Sequence, residues 1–251
     1  MGVYPHSVDG MLGKQYGFMI AMVLCCGFLI FGCGAGTQVH SRGSHQTLTL
    51  EPGDLEAYGL AFITPSTVTG QEEEKQAVAF TFAHVLKQER PGIRCLTLPE
   101  TLGIINKSGY ADEYHQMYLD YRNTGIFKRD TLLKLSNVTR TKYTAQLKLQ
   151  GFDQGSMNRL GALGLRLMET KYATLRLFFQ IWDAAEGTIA WEGVHELNYS
   201  VETFDERAVT LQAVIEKATK ELISKLPQEP GEDPPGESIS AGSLPITSPS
   251  P

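Results

Sequence analysis

Cysteine is scarce in this chain. Of the four present, Cys25, Cys26 and Cys33 crowd into the first 33 residues, and Cys95 stands alone in the remainder. One thiol can make neither an internal disulfide nor a cysteine-rich zinc site. Its setting, Ile93-Arg94-Cys95-Leu96-Thr97, is that of a buried strand, where a free cysteine packs as a small hydrophobe. Positive charge is also in short supply. Against 28 Asp and Glu there are 22 Lys and Arg, a net charge of −6, so nucleic acid, which needs a basic face, is excluded as a partner. The motifs that carry common chemistries are missing: no GxGxxG, P-loop, GxSxG or HExxH occurs. The six histidines, His6, His40, His45, His84, His115 and His195, show no ligand-like spacing. No catalytic residue, cofactor or metal is therefore expected.

What the chain does have is an almost unbroken apolar run over residues 16–31, with Lys14 the only charge close in front of it. The run ends Leu29-Ile30-Phe31-Gly32-Cys33. A positive charge, an apolar stretch and small residues at a cysteine form the pattern of a secretory signal. The ending resembles a bacterial lipobox, where cleavage falls between Gly32 and Cys33 and the Cys33 sulfur is acylated. Bulky Phe31 departs from that pattern. The alternative is an uncleaved anchor, since residues 16–32 just reach the roughly 17–25 residues a spanning helix needs. In both readings Lys14 keeps the cytoplasmic side and the rest of the chain faces outward. The expected address is the cell envelope, membrane-anchored and facing the periplasm, at the outer membrane in the lipoprotein reading and at the inner membrane with an uncleaved anchor. Met11 is an alternative start to Met1.

The organisation expected behind the leader (residues 1–32) has three parts. Residues 33–56 are rich in Gly, Ser, Thr, His and Gln and read as a lipidated cysteine on a flexible tether. Residues 57–226 form one α/β domain. Residues 227–251, rich in Pro, Gly, Ser and Glu, cannot bury enough apolar surface to fold and read as a disordered tail.

Within the domain the hydrophobic period alternates between types. Residues 58–64 read as a strand stopped by Pro65. Residues 71–88 read as a helix, with Ala79, Phe82, Ala83 and Leu86 on one stripe and Glu72, Glu73 and Glu74 at the positive end of its dipole. Residues 93–97 give a second strand, and short helices follow near 99–107, 112–122 and 129–137. Then Tyr143, Ala145, Leu147 and Leu149 alternate with polar neighbours, as do Leu163, Leu165 and Leu167, and Ala173, Leu175, Leu177, Phe179 and Ile181. Past the turn Ala184-Ala185-Glu186-Gly187, the residues Ile189, Trp191, His195, Leu197 and Tyr199 continue the period, which makes a hairpin. A helix over 207–226 closes the domain, with Leu211, Val214, Ile215, Ala218 and Leu222 on its inner stripe. The fold class is α/β: a single mixed sheet with a long carboxy-terminal antiparallel hairpin, packed by helices.

The hairpin Phe179-Gln180-Ile181-Trp182-Asp183 … Gly187-Thr188-Ile189-Ala190-Trp191-Glu192-Gly193, in this element order, resembles envelope lipoproteins with a TolB-amino-terminal-like fold. That group includes the curli-secretion lipoprotein and lipoprotein activators of peptidoglycan synthases. Asn106-Lys107-Ser108-Gly109-Tyr110 and Tyr121-Arg122-Asn123-Thr124-Gly125 are similar to uncharacterised members. The resemblance implies a lipid-anchored, non-enzymatic interaction or assembly module with an envelope protein as partner. Two alternatives stay open beside it: an auxiliary lipoprotein of an export or transport complex, and a hydrolase with an unrecognised site whose carboxylates converge only in three dimensions. Curli-type channels need long amphipathic hairpins. Here residues 154–162 read as a short linker, so a pore is not expected.

Two clusters remain. Glu192, His195 and Glu196 suggest acid/base or metal chemistry, but strand periodicity puts His195 on the face opposite the two carboxylates. Tyr110, Tyr114, Tyr118 and Tyr121 form a stripe on one helix. Such a stripe is partial core when it is covered and a candidate partner surface when it is open. Oligomeric state is left open.

Overall fold

A computed structural model describes residues 37–162, 165–203 and 209–229, with side chains described except at 157–169 and 202–203. The leader with Gly32 and Cys33, and the tail from residue 230, lie outside the described residues. Among the described residues, no helix is long and apolar enough to cross a membrane.

The first finding corrects the tether. Residues Thr37–Thr47 form a strand, β1, paired antiparallel along its whole length with β7 (Thr188–Thr203). Leu50, and Leu55 in helix α1 (Asp54–Tyr58), are already core. Every residue of β1 is exposed. Its own burial contributes little, so no hydrophobic period marks it. Its stability comes from the ladder to β7, which a reading of side chains does not see.

The remaining strands are β2 (Leu60–Phe62), β3 (Ser66–Thr67), β4 (Cys95–Leu96), β5 (Tyr143–Ala162) and β6 (Leu165–Asp183). They form one seven-stranded mixed sheet in the order β1-β7-β6-β5-β2-β4, with β3 also on β5. β1, β7, β6 and β5 run antiparallel, while β2 and β3 lie parallel to β5 and β4 lies parallel to β2. The α/β class is as expected.

The second correction is the length of the β5–β6 hairpin. Residues 154–162 are not a linker: β5 continues through them, paired with β6 as far as Ala162↔Leu165. A bulge explains why the pattern breaks off. Leu149 faces Leu177 and Gly151 faces Arg176, leaving Gln150 as the extra residue. Past a bulge the alternation resumes one step late, so Phe152, not residue 151, returns to the side of Leu175. The ground for setting a pore aside, the want of any long hairpin, therefore falls for this one hairpin.

Two cores sandwich the sheet. Helices α2 (Glu72–Glu89) and α6 (Leu211–Ile223) cover one face. There Phe82 of α2 and Val214, Ile215 and Leu222 of α6 meet Tyr143, Leu147, Leu177, Phe179 and Trp191. The helix expected over 207–226 begins at Leu211, the first residue of its apolar stripe, where the Thr210 hydroxyl caps α6 by accepting from the Ala213 amide at 3.3 Å. Helices α3 (Leu98–Lys107), α4 (Ala111–Thr124) and α5 (Arg129–Thr139) cover the lower part of the other face. Ile105, Met117, Phe127 and Leu132 pack there against Ile63 and Trp182. α3 opens on a capping box between Thr97 and Glu100, with Pro99 in its first turn, which satisfies orphan amides.

An irregularity between Ile181 and Trp182 serves both cores. Ile181 faces Trp191 and Trp182 faces Ile189, so the pair straddles the sheet. The adjoining turn is held by Asp183, whose Oδ1 accepts from the amides of Ala185 (2.9 Å) and Glu186 (3.2 Å) and whose Oδ2 lies 3.3 Å from Lys142 Nζ. Gly187 has φ +70°, and a Cβ there would meet Arg129 Cβ at 2.6 Å. The hairpin motif behind the family resemblance is thus fully used in building the fold.

Candidate functional site: an open sheet edge and its groove

The residues singled out from sequence are placed as follows. Gly32 and Cys33 lie outside the described residues. The four tyrosines lie on or just before α4 and are half-buried. The Tyr114 hydroxyl accepts from the Thr64 amide at 2.8 Å and lies 2.8 Å from Thr64 Oγ1. Tyr118 donates to the Pro65 carbonyl at 3.1 Å, and Tyr121 to Gln180 Oε1 at 3.2 Å. Lys134 of α5 sits over the Tyr110 ring. Burial raises the pKa of the Tyr114 hydroxyl above its ordinary value, which keeps it protonated. The stripe therefore fastens α4 to the sheet and to α5.

Cys95 is buried, and burial pushes its thiol up to about 12. A thiol that stays protonated is not a nucleophile. Glu192 and Glu196 face away from His195: Glu192 Oε2 accepts from Gln180 Nε2 at 3.2 Å, and Glu196 pairs with Arg176 at 3.0 Å. His195 stands on the first core's side, opposite Leu177 on β6 and Gly43 on β1. A Cβ at Gly43 would come within 2.9 Å of His195 Nδ1, so glycine gives the imidazole room. Among the described residues no three His, Cys, Asp or Glu side chains could hold a metal ion.

The buried Nε2 of His195 has no hydrogen-bond partner among the described residues, and the residue is only 4% exposed. Burial holds its pKa below the ordinary value, opposed by Glu221 and reinforced by Lys225. In the unfolded chain the imidazole titrates near ~6.5, so on acidification the unfolded state takes up the proton first. The stability tied to neutral His195 is complete above that pH and is lost as pH falls through it toward the lower folded pKa. The melting temperature is expected to fall more steeply between pH 7 and 5 in the native protein than in His195→Gln. Equal slopes would refute this.

What the structure adds is β1 and the face beside it. β1 is the end strand of the sheet, eleven residues long and exposed throughout. Its outer backbone groups meet no other strand among the described residues. Beside it, on the face that α3–α5 leave uncovered, lies a shallow groove of about 300 Å³ lined by Ser44, Gln46, Phe178, Gln180, Glu192 and Val194. His45 also borders the groove, but among the described residues it forms no nucleophile–base pair with Ser44. Ser44 and His45 are successive strand residues and so face opposite sides, and His45 stacks on Trp191, centroids 6.3 Å apart. The Arg176 guanidinium covers the Phe178 ring at 5.1 Å while pairing with Glu196. An unpaired edge with polar side chains on one flank can recognise an extended peptide, its backbone supplying affinity and its side chains specificity.

No protein-family model and no curated protein matches the sequence. Among solved structures the chain is similar to the PelC dodecamer from Paraburkholderia phytofirmans, at 11% identity and a TM-score of 0.42, covering 77% of this chain and 100% of that one. It is also similar to lipoprotein GNA1162 from Neisseria meningitidis, at 13% identity and a TM-score of 0.39, covering 66% of this chain and 98% of that one. These likenesses are distant and carry no argument about what the protein does.

Proposed function

We propose that this protein is a lipid-anchored cell-envelope protein, cleaved after Gly32 and acylated at Cys33, whose α/β domain is a non-enzymatic interaction module. Its partner is an envelope protein that adds a strand to β1. The observation that carries the reading is the unguarded edge. Proteins commonly blunt exposed edge strands by keeping them short or by placing Lys, Pro or a bulge in them. β1 runs eleven residues, longer than the usual 5–6, contains neither Lys nor Pro and a single Arg, Arg42, and keeps an unbroken register with β7. Such an edge is either a hazard or a binding site, and the polar residues along it argue for the latter.

Two measurements test the parts separately. Cys33→Ser is expected to change the mature mass and move the protein out of the acylated membrane fraction. Unchanged mass and fractionation would remove the lipid anchor and favour the uncleaved one. For the edge, Val39, 45% exposed, and Ser41 are replaced together by lysine. A partner that co-purifies with the native chain from detergent-solubilised envelopes should be recovered at least tenfold less with Val39→Lys/Ser41→Lys, at unchanged circular dichroism. Equal recovery would refute strand addition at β1.

A further inference from the structure

The register of the sheet fixes where the anchor lies relative to the β5–β6 hairpin. Thr37 faces Val201 on β7, Val201 faces Lys171 on β6, and Lys171 faces Ser156 on β5. Past that level β5 continues to Ala162 and β6 comes back from Leu165, six residues each way. At about 3.3 Å per residue this end projects roughly 20 Å beyond the start of β1. Cys33 precedes Thr37 by four residues, which at full extension reach about 14 Å. With no tether longer than that, the domain cannot hang clear of the surface that holds residue 33.

We infer that the free end of the β5–β6 hairpin, residues 157–162 and 165–169, rests on or enters the surface of the bilayer that carries the anchor. The inference rests on the reading that the chain is membrane-attached at residue 33. It holds equally for an acyl group on Cys33 and for an uncleaved helix ending at Gly32. With the strands upright, the hairpin reaches farther than the linker. With the strands lying along the surface, its end lies on that surface. Turning the hairpin away from the membrane would push the opposite end of the sheet, ten residues or about 33 Å of β1, into hydrocarbon together with exposed polar residues such as Arg42 and Gln46.

Composition agrees with this placement. The end carries Met157, Leu160, Ala162, Leu165, Leu167 and Met168, whereas Val39 is the only apolar residue of β1. Arg159 and Arg166 supply positive charge for anionic headgroups, on stems long enough to lie along acyl chains. Apolar side chains with flanking arginine suit an interfacial position. The occupant is phospholipid.

The test uses the full chain purified from membranes and reconstituted in vesicles of phosphatidylethanolamine and phosphatidylglycerol. A nitrobenzoxadiazole label is placed at Leu165→Cys, with Met168→Cys as a second position and Glu186→Cys, exposed in the turn at the other end, as the reference. Lipids carrying doxyl groups on their acyl chains are expected to quench the label at 165 and 168 at least threefold more than at 186. Equal, weak quenching in protein whose mass shows acylated Cys33 would overturn the membrane contact while leaving the anchor reading intact. Disulfide formation between two copies of unlabelled Leu165→Cys, together with no quenching in the labelled protein, would assign this end to a self-assembly and also overturn it. Protein that leaves the membrane fraction altogether would overturn both.

Discussion

Trp191→Ala should lower the unfolding free energy by about 3–5 kcal/mol, the range for deleting a large buried aromatic. Trp191 has no exposed surface. Its ring lies 5.4 Å from Phe179, and His45 of β1 stacks on it at 6.3 Å. Gly193 leaves room for it: a Cβ there would meet the indole Cη2 at 2.5 Å and Leu222 Cδ2 at 3.0 Å. The indole therefore joins β7, β6, β1 and α6, and alanine would leave a cavity that rigid strands on both sides cannot close. Chemical denaturation followed by far-UV circular dichroism measures the loss. A change below about 1 kcal/mol would mean that this core is not packed as described.

Phe127→Ala should cost a similar amount, about 3–5 kcal/mol, through the other core. Phe127 is 1% exposed. It stacks on Tyr121 at 4.1 Å and meets Trp182 edge-on at 5.1 Å, so it holds α4 and α5 to the sheet. The chain has only two tryptophans, and they report separately: Trp191 from the first core and Trp182 from the second. In Phe127→Ala the folded-state emission of Trp182 should shift to the red as water reaches the α4 side, while Trp191 keeps its buried emission. If the domain is one cooperative unit, both signals still melt together at a lower midpoint. A melt in two steps would show that α3–α5 unfold alone.

Sequence pattern made the helices and the apolar strands legible because they declare themselves through burial. Phe82 and Leu86 on α2, and Val214 and Ala218 on α6, fall on the faces their spacing implies. The separation of His195 from Glu192 and Glu196 follows from strand period alone. Three things stayed hidden. β1 is held by backbone pairing and has exposed, mostly polar side chains, so nothing in its composition distinguishes it from a loop. The outer half of β5 is masked by the bulge at Gln150 and by polar residues on the core side, such as Gln154 and Ser156, which face Ala173 and Lys171. The tyrosine stripe read first as partial core and, if uncovered, as a partner surface. What decides it is the position of Thr64, Pro65 and Gln180, brought to α4 only by the assembled sheet. The candidate site was thus the least legible part, because an edge is defined by what lies beside a strand.

Pairing along all of β1 has a mechanical consequence. At the far end of the sheet the chain leaves through Pro227, whose carbonyl is held by the Arg90 guanidinium beside Glu56. Tension between Thr37 and Pro227 thus runs along the strands and loads the β1–β7 hydrogen bonds in shear, side by side, instead of peeling them open singly. Stretching the molecule between those two points must rupture many of these bonds together before β1 slides free.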